Sequence, residues 1–138
     1  MMTTKHDTGQ YFTTNLLLKQ TIFEFIQNSP SYILEPSIGQ GDLIAHLSEK
    51  MPNTTFDMYE IDPTIKLLEK IQRDNIIYGD FLKQTITKKY TTIVGNPPYV
   101  RTKKGNLYID FVEKCGNLLD DIFSIFLYRE NISIFISI

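Results

Sequence analysis

An α/β fold, a parallel sheet with helices on both faces, is the class this sequence predicts, and three observations carry it. Apolar residues switch repeatedly between short runs of strand length and stripes at helical spacing. The segments between successive strand candidates are long enough for the crossovers that parallel neighbours require. Glycine, asparagine, proline or acidic residues stand directly after each strand candidate, where open parallel sheets hold their ligands. A chain of 138 residues builds one core and leaves no room for a second full domain.

The elements follow in order. Residues 14–28 are helical: Thr14 or Asn15 caps, Leu18, Ile22 and Ile26 recur every fourth residue, and Asn28, Ser29 and Pro30 end the run. Residues 32–34 are a short strand breaking at Pro36. A glycine-bearing turn over 37–41 leads into a helix whose apolar stripe is Leu43, Ile44, Leu47 and Met51, stopped by Pro52. Residues 56–61 form a second strand. Pro63 suits the first turn of a following helix, with Ile65, Leu68 and Ile71 or Gln72 at helical spacing. Residues 76–78 are a third strand, and 90–94, rich in β-branched residues, a fourth. Tyr108, Val112, Cys115 and Leu119 then make one helical face, and 122–128 and 132–138 each read as further strands. The result is a Rossmann-like sheet, without internal repeat or low-complexity linker.

Composition bounds the function. The 14 Lys and Arg against 16 Asp and Glu give a net charge of -2, which excludes a uniformly basic coat but not a local patch. Residues 83–104 hold Lys83, Lys88, Lys89, Arg101, Lys103 and Lys104 and no acid, a local +6 against -8 for the remainder. The single cysteine, Cys115, excludes an internal disulfide and suits a reducing compartment; its apolar helix face makes it a core residue. His6 and His46 have no partner at ligand spacing, so no metal is expected. The amino terminus is polar, without signal-peptide character, and the apolar stretch 122–138 is interrupted by Arg129, Glu130 and Asn131. The chain reads as soluble and cytoplasmic, or as intracellular within a host if the gene is viral or plasmid-borne, with no membrane partner.

Four segments carry chemistry. In the turn from Glu35 to Gly41, two glycines let the backbone approach a ligand, and the next helix offers free N–H groups. It lacks the lysine of a P-loop and the third glycine of the dinucleotide fingerprint, so an ordinary glycine turn is an equal reading. Glu60, 19 residues beyond Gly41, stands where an acid accepts from two ribose hydroxyls. Asp80 could accept from the exocyclic amine of a purine; for each acid alone a solvated strand-end carboxylate is the plain alternative. In Asn96-Pro97-Pro98-Tyr99 consecutive prolines remove two donors and fix two φ angles. Two rigid acceptors, the Asn96 side-chain carbonyl and a main-chain carbonyl, then match the two N–H groups of an exocyclic amine, and Tyr99 offers a face for a base. The plain alternative is a turn.

In content and order these motifs resemble the S-adenosylmethionine-dependent N6-adenine DNA methyltransferases of the Asn-Pro-Pro-Tyr type, over residues 8 to about 119. The resemblance implies S-adenosylmethionine as cofactor. By similarity, residues 8–14, with Tyr11, Phe12 and Thr13, help hold its methionine carboxylate. Glu35, Pro36, Ser37, Gly39 and Gly41 match the first cofactor motif, Glu60 and Ile61 the ribose and adenine clamp, and Asp80 and Phe81 the adenine contact. Asn96, Pro97 and Tyr99 match the catalytic motif: Asn96 and the Pro97 carbonyl hold the amino group of an adenine flipped out of DNA, and Tyr99 stacks on it. Lys88, Lys89, Arg101, Lys103 and Lys104 bracket that motif and would meet the phosphate backbone.

The family is longer, and usually has a separate region that reads the DNA sequence. The expectation is therefore one truncated catalytic domain over 1–138 with an incomplete sheet, its tail 120–138 departing from the family, and a separate specificity region or polypeptide, in the setting of a restriction–modification system. The same signature occurs in enzymes that methylate structured RNA or protein glutamine. Gln10, Tyr11 and Phe12 favour DNA, because the glutamine enzymes carry a helical domain there. A non-catalytic cofactor-binding remnant or an inactive fragment is the reading from another class.

Overall fold

The computed structural model describes residues 14–26, 29–98, 100–103, 105–128 and 131–136, with side chains up to residue 120. In chain order its elements are α1 (Leu16–Phe25), β1 (Tyr32–Glu35), α2 (Asp42–Lys50), β2 (Thr55–Glu60), β3 (Ile76–Tyr78), β4 (Tyr90–Gly95), β5 (Arg101–Thr102), β6 (Gly105–Asn106), α3 (Leu107–Leu118), β7 (Leu119–Tyr128) and β8 (Asn131–Ile136). Single 3₁₀ turns cover Arg73–Asn75 and Phe81–Lys83. The main sheet has the order β3-β2-β1-β4-β7-β8, and β5 and β6 form a separate two-stranded ribbon. Its first five strands are parallel and β8 pairs antiparallel with β7.

The strands alternate their side chains between two cores, as the pleat dictates. Ile33, Met58 and Val94 face one core with Ile22 of α1 and Leu43, Ile44 and Leu47 of α2. Their neighbours Leu34, Tyr59 and Ile93 face the other, with Tyr108, Phe111, Cys115 and Leu118 of α3. Helices therefore cover both faces, as expected. Cys115 is fully buried, and burial pushes its thiol well above the usual value, as suits a core residue. Among the described residues no helix is long and apolar enough to cross a membrane.

Three local expectations are corrected. Asn15 caps α1, accepting from the Leu18 N–H at 3.2 Å, but the helix ends at Phe25; Asn28 lies outside the described residues. The helix expected after Pro63 does not form. Its supposed apolar stripe is wrong, since Leu68 is exposed and of the three only Ile71 is buried. The segment is instead a series of turns: Asp62 accepts from the Thr64 N–H at 2.9 Å, Leu68 N–H donates to the Gln40 carbonyl at 3.0 Å, and Arg73 donates to the Pro63 carbonyl at 2.9 Å. Leu119 starts β7 instead of closing the last helical face. The tail does form two strands, over 119–128 and 131–136, and extends the sheet; residues 137–138 of the expected second strand lie outside the described residues.

Candidate functional site

The strand order reverses at β1: β2 and β3 build outward on one side, β4 and β7 on the other. Parallel sheets of this kind open a crevice at that switch point, beyond the carboxyl ends of the strands. A cavity of about 380 Å³ lies there, within the range of small-molecule sites. Pro36 and Ser37 line it from beyond β1, Glu60, Ile61 and Asp62 from the end of β2, and Gly79, Asp80 and Phe81 from beyond β3. Pro98 and Val100 line it from beyond β4, and Leu107 and Phe111 from α3. All four segments expected to share one crevice do share it.

Its polar wall is ordered by backbone amides. Glu60, 3% exposed, accepts from the Gly39 N–H at 2.8 Å through one oxygen and from the Asp62 N–H at 2.9 Å through the other. Each oxygen thus holds one donor and keeps a second acceptor position. Glu35, 2% exposed, lies behind the lining and accepts from the Ser37 N–H at 2.7 Å. Burial raises the pKa of Glu35 to about 8, with the Glu60 charge adding to the effect. Burial also raises Glu60, against the donors Asp62 and Gly39, which favour its charged form. Asp80 accepts from the Leu82 N–H at 3.0 Å and caps the 3₁₀ turn behind it.

The apolar wall is aromatic. Phe81 stacks on Phe111 at 5.4 Å between centroids and meets Tyr59 edge-on at 5.3 Å. Phe111, Val100 and Leu107 escaped the sequence reading. Phe111 stands three residues after Tyr108 and four before Cys115, so a wider reading of the helical face would have found it.

The remaining expected residues divide. Gly39 and Gly41 have φ of +63° and +94°. At Gly41 a Cβ would stand 2.5 Å from Ile71 Cγ1, so this glycine answers to packing within the chain. Asn96 is half-buried and Pro97 buried, directly beyond β4 and one to two residues before the lining residue Pro98. Tyr11, Phe12, Thr13, Tyr99 and Lys104 lie outside the described residues. The basic window is split by the fold, which corrects the expectation that it brackets one site. Lys88 and Lys89 immediately precede β4 and stand at the amino-terminal end of the sheet, opposite the crevice. There Lys88 donates to Asp57 at 2.8 Å and Lys89 to the Asn117 carbonyl. Arg101 and Lys103, exposed on the β5–β6 ribbon, and Lys83 follow β4 and β3 on the crevice side.

Comparison with known proteins turns this geometry into kinship. No family model matches the chain. Modification methylase CviBIII of Paramecium bursaria Chlorella virus NC1A is 34% identical over 131 residues, which is 80% of this chain and 34% of that protein. The curated relatives with names of this kind are type II DNA methyltransferases. The chain is a relative of the type II DNA methyltransferases. It spans between 17% and 34% of their length. Ribosomal RNA small subunit methyltransferase A of Mycoplasma genitalium is also similar, 35% identical over 101 residues, 66% of this chain and 38% of that protein. Among solved structures, coclaurine N-methyltransferase bound to N-methylheliamine and SAH superposes with a TM-score of 0.58 at 16% identity, over 86% of this chain and 39% of that one. The fold is that of the S-adenosylmethionine-dependent methyltransferases.

Proposed function

We propose that this chain is the catalytic core of an N6-adenine DNA methyltransferase that uses S-adenosylmethionine. One observation carries the reading: Pro98 and Val100, beside Asn96 and Pro97, line the same cavity as Ser37, Glu60 and Asp80. A segment built to hold an amine and a site suited to a nucleoside thus meet in one space. The cavity's residues fit the cofactor. Glu60 keeps an acceptor position on each oxygen for a ribose, Phe81 and Ile61 offer apolar surface for a base, and the turn over 36–41 presents a helix start to a carboxylate.

S-adenosylmethionine, when bound, supplies a methyl group on a positively charged sulfur. The chain's own residues do the rest. Asn96 and the Pro97 carbonyl accept the two N–H groups of the adenine amine, which pulls that nitrogen toward a tetrahedral arrangement with its lone pair free to attack. Tyr99 stacks on the adenine and offsets part of the few kcal/mol that unstacking costs. Arg101 and Lys103 meet the phosphates flanking the flipped base. The type II names of the relatives support a place beside a restriction endonuclease, with sequence reading supplied by a separate region or polypeptide.

The test is transfer of labelled methyl from S-adenosylmethionine to adenine-containing DNA, with N6-methyladenine identified after digestion. Label on DNA that disappears in Asn96→Ala supports the reading. The ribosomal RNA relatives favour a second one, in which the accepting adenine is in RNA, and label on RNA but never on DNA would establish that reading in its place.

A further inference from the structure

Lys114, in the second half of α3, belongs to neither the cavity lining nor the catalytic segment, yet it grips the turn that carries Phe81 into the cavity wall. Its ammonium donates to the carbonyls of Phe81 and Gln84, each at 2.5 Å, and lies 4.9 Å from the centre of the Phe81 ring. These carbonyls stand at the Phe81–Lys83 turn and its carboxyl-terminal cap, and Asp80 caps the same turn at its amino end. Within the turn the Phe81 carbonyl already accepts from the Gln84 N–H at 3.2 Å, whereas the Gln84 carbonyl lies past its end, where a cation is a favourable partner. One turn earlier on α3, Phe111 stacks on Phe81. The wall residue Phe81 is thereby held by α3 through both its ring and its backbone. At its other end, α3 starts where the Leu107 N–H donates to the Val100 carbonyl at 2.8 Å, just beyond the Asn96-Pro97-Pro98 segment. Burial lowers the Lys114 pKa and the Asp80 charge draws it back up, so the ammonium also feels the acid of that wall.

We infer that Lys114 is a positioning residue that fixes the Asp80–Phe81 wall to the helix following the catalytic segment, and so sets the adenosine end of the cofactor site. The inference rests on the proposed function, since it takes this wall to be where adenosine binds. An unanchored turn would move Phe81 relative to Glu60 and Ile61, and the base would lose its slot.

Calorimetry on the full chain tests it with two probes: S-adenosylhomocysteine, and 5′-methylthioadenosine, which lacks the amino-acid end. Lys114→Met should weaken both about tenfold and by the same factor, as loss of charge-assisted hydrogen bonds predicts. Lys114→Arg, which keeps the charge and the donors, should restore most of the affinity. Equal losses locate the effect at the adenosine part that the two probes share, and an unchanged urea-unfolding midpoint of the variant separates it from a general loosening of the fold, which would overturn the inference. If Lys114→Met does not fold, Lys114→Gln is held to the same criteria. Wild-type binding of both probes with no change in the variant overturns the inference alone, as does a loss confined to S-adenosylhomocysteine or one that arginine does not rescue. Failure of the wild-type chain to bind either probe overturns the reading of the site and the inference with it.

Discussion

The two ends of the sheet use charge in opposite ways. At the amino-terminal end, Asp57 of β2 accepts from Lys88 at 2.8 Å and from the Tyr90 hydroxyl at 2.6 Å, while Lys88 lies 3.4 Å from the centre of the Tyr32 ring. Burial and the neighbouring carboxylate raise the Tyr90 hydroxyl far above its usual pKa, so it stays a donor. One cation, one acid and two tyrosines thus tie β1, β2 and the start of β4 together. At the carboxyl end, Glu35, Glu60 and Asp80 bind backbone N–H groups, and Arg101 and Lys103 stay exposed. Glu35 and Glu60 are fixed in direction by amides, and Asp80 adds to its amide donor a long ion pair of 4.0 Å with the exposed Lys83. The amino-terminal charges are committed to structure, whereas Glu60 and Asp80 line the crevice and Arg101 and Lys103 stand exposed on its side.

Asn96→Ala tests the crevice half of that comparison most severely. Removing one preorganised contact to the reacting group should cut kcat by about 10²–10³. Because Asn96 precedes the cavity lining, S-adenosylhomocysteine affinity should stay near the wild-type value. A parallel loss of cofactor affinity would mean that the two halves of the crevice are one structural unit and not a cofactor site beside an amine site.

Gly41→Ala comes next and acts on stability. The position combines φ of +94° with a Cβ contact of 2.5 Å to Ile71, whose Cγ1 cannot swing aside as a chain end could. Left-handed strain and overpacking together should cost about 2–4 kcal/mol in urea unfolding. Ile71→Val, which keeps Cγ1, should leave most of that cost in place, whereas Ile71→Ala in the Gly41→Ala background should recover part of it.

Glu35 gives a smaller effect with a defined sign. Its pKa rises on folding from 4.5 to about 8, so between those values the folded chain binds more protons than the unfolded one. The stabilising contribution is complete below pH 4.5 and is lost as pH climbs to about 8, at up to about 1.4 kcal/mol per pH unit. Glu60 is shifted the same way and adds to the slope. Urea midpoints at several pH values should therefore fall toward alkaline pH, and Glu35→Gln should flatten the curve. An unchanged slope would assign the proton uptake to Glu60 instead.

Much of this arrangement was legible in the sequence, for reasons particular to each element. Strands β1, β2 and β4 declared themselves because each is buried on both faces and ends in residues with special backbone or polar roles. The crevice followed, since topology brings strand ends together whatever the side chains do. The helix expected after Pro63 failed because the spacing of Ile65, Leu68 and Ile71 mimicked a stripe; Asp62 and Thr64 compete locally for the backbone, and Ile71 is needed beneath Gly41. The basic window failed for a different reason. Lys88 and Arg101 are 13 residues apart in sequence, but β4 runs the length of the sheet between them and sends them to opposite ends. Charge counted along the chain cannot see that separation.

That split yields the smallest effect and the most direct test of the comparison. A cation that meets a DNA phosphate releases a counterion, so each such contact contributes about 0.9 to the slope of log affinity against log salt. Replacing Arg101 and Lys103 by alanine should lower that slope by about 2 and weaken binding several-fold near physiological salt. Replacing Lys88 and Lys89 should leave the slope unchanged, because both already serve acceptors of their own chain on the far side of the sheet. The Lys88 change should appear in unfolding instead, by about 1 kcal/mol, through the bond lost to Asp57. Equal salt slopes for the two double variants would show DNA wrapping around the sheet to its amino-terminal end, and the division between a structural end and a binding end would fall.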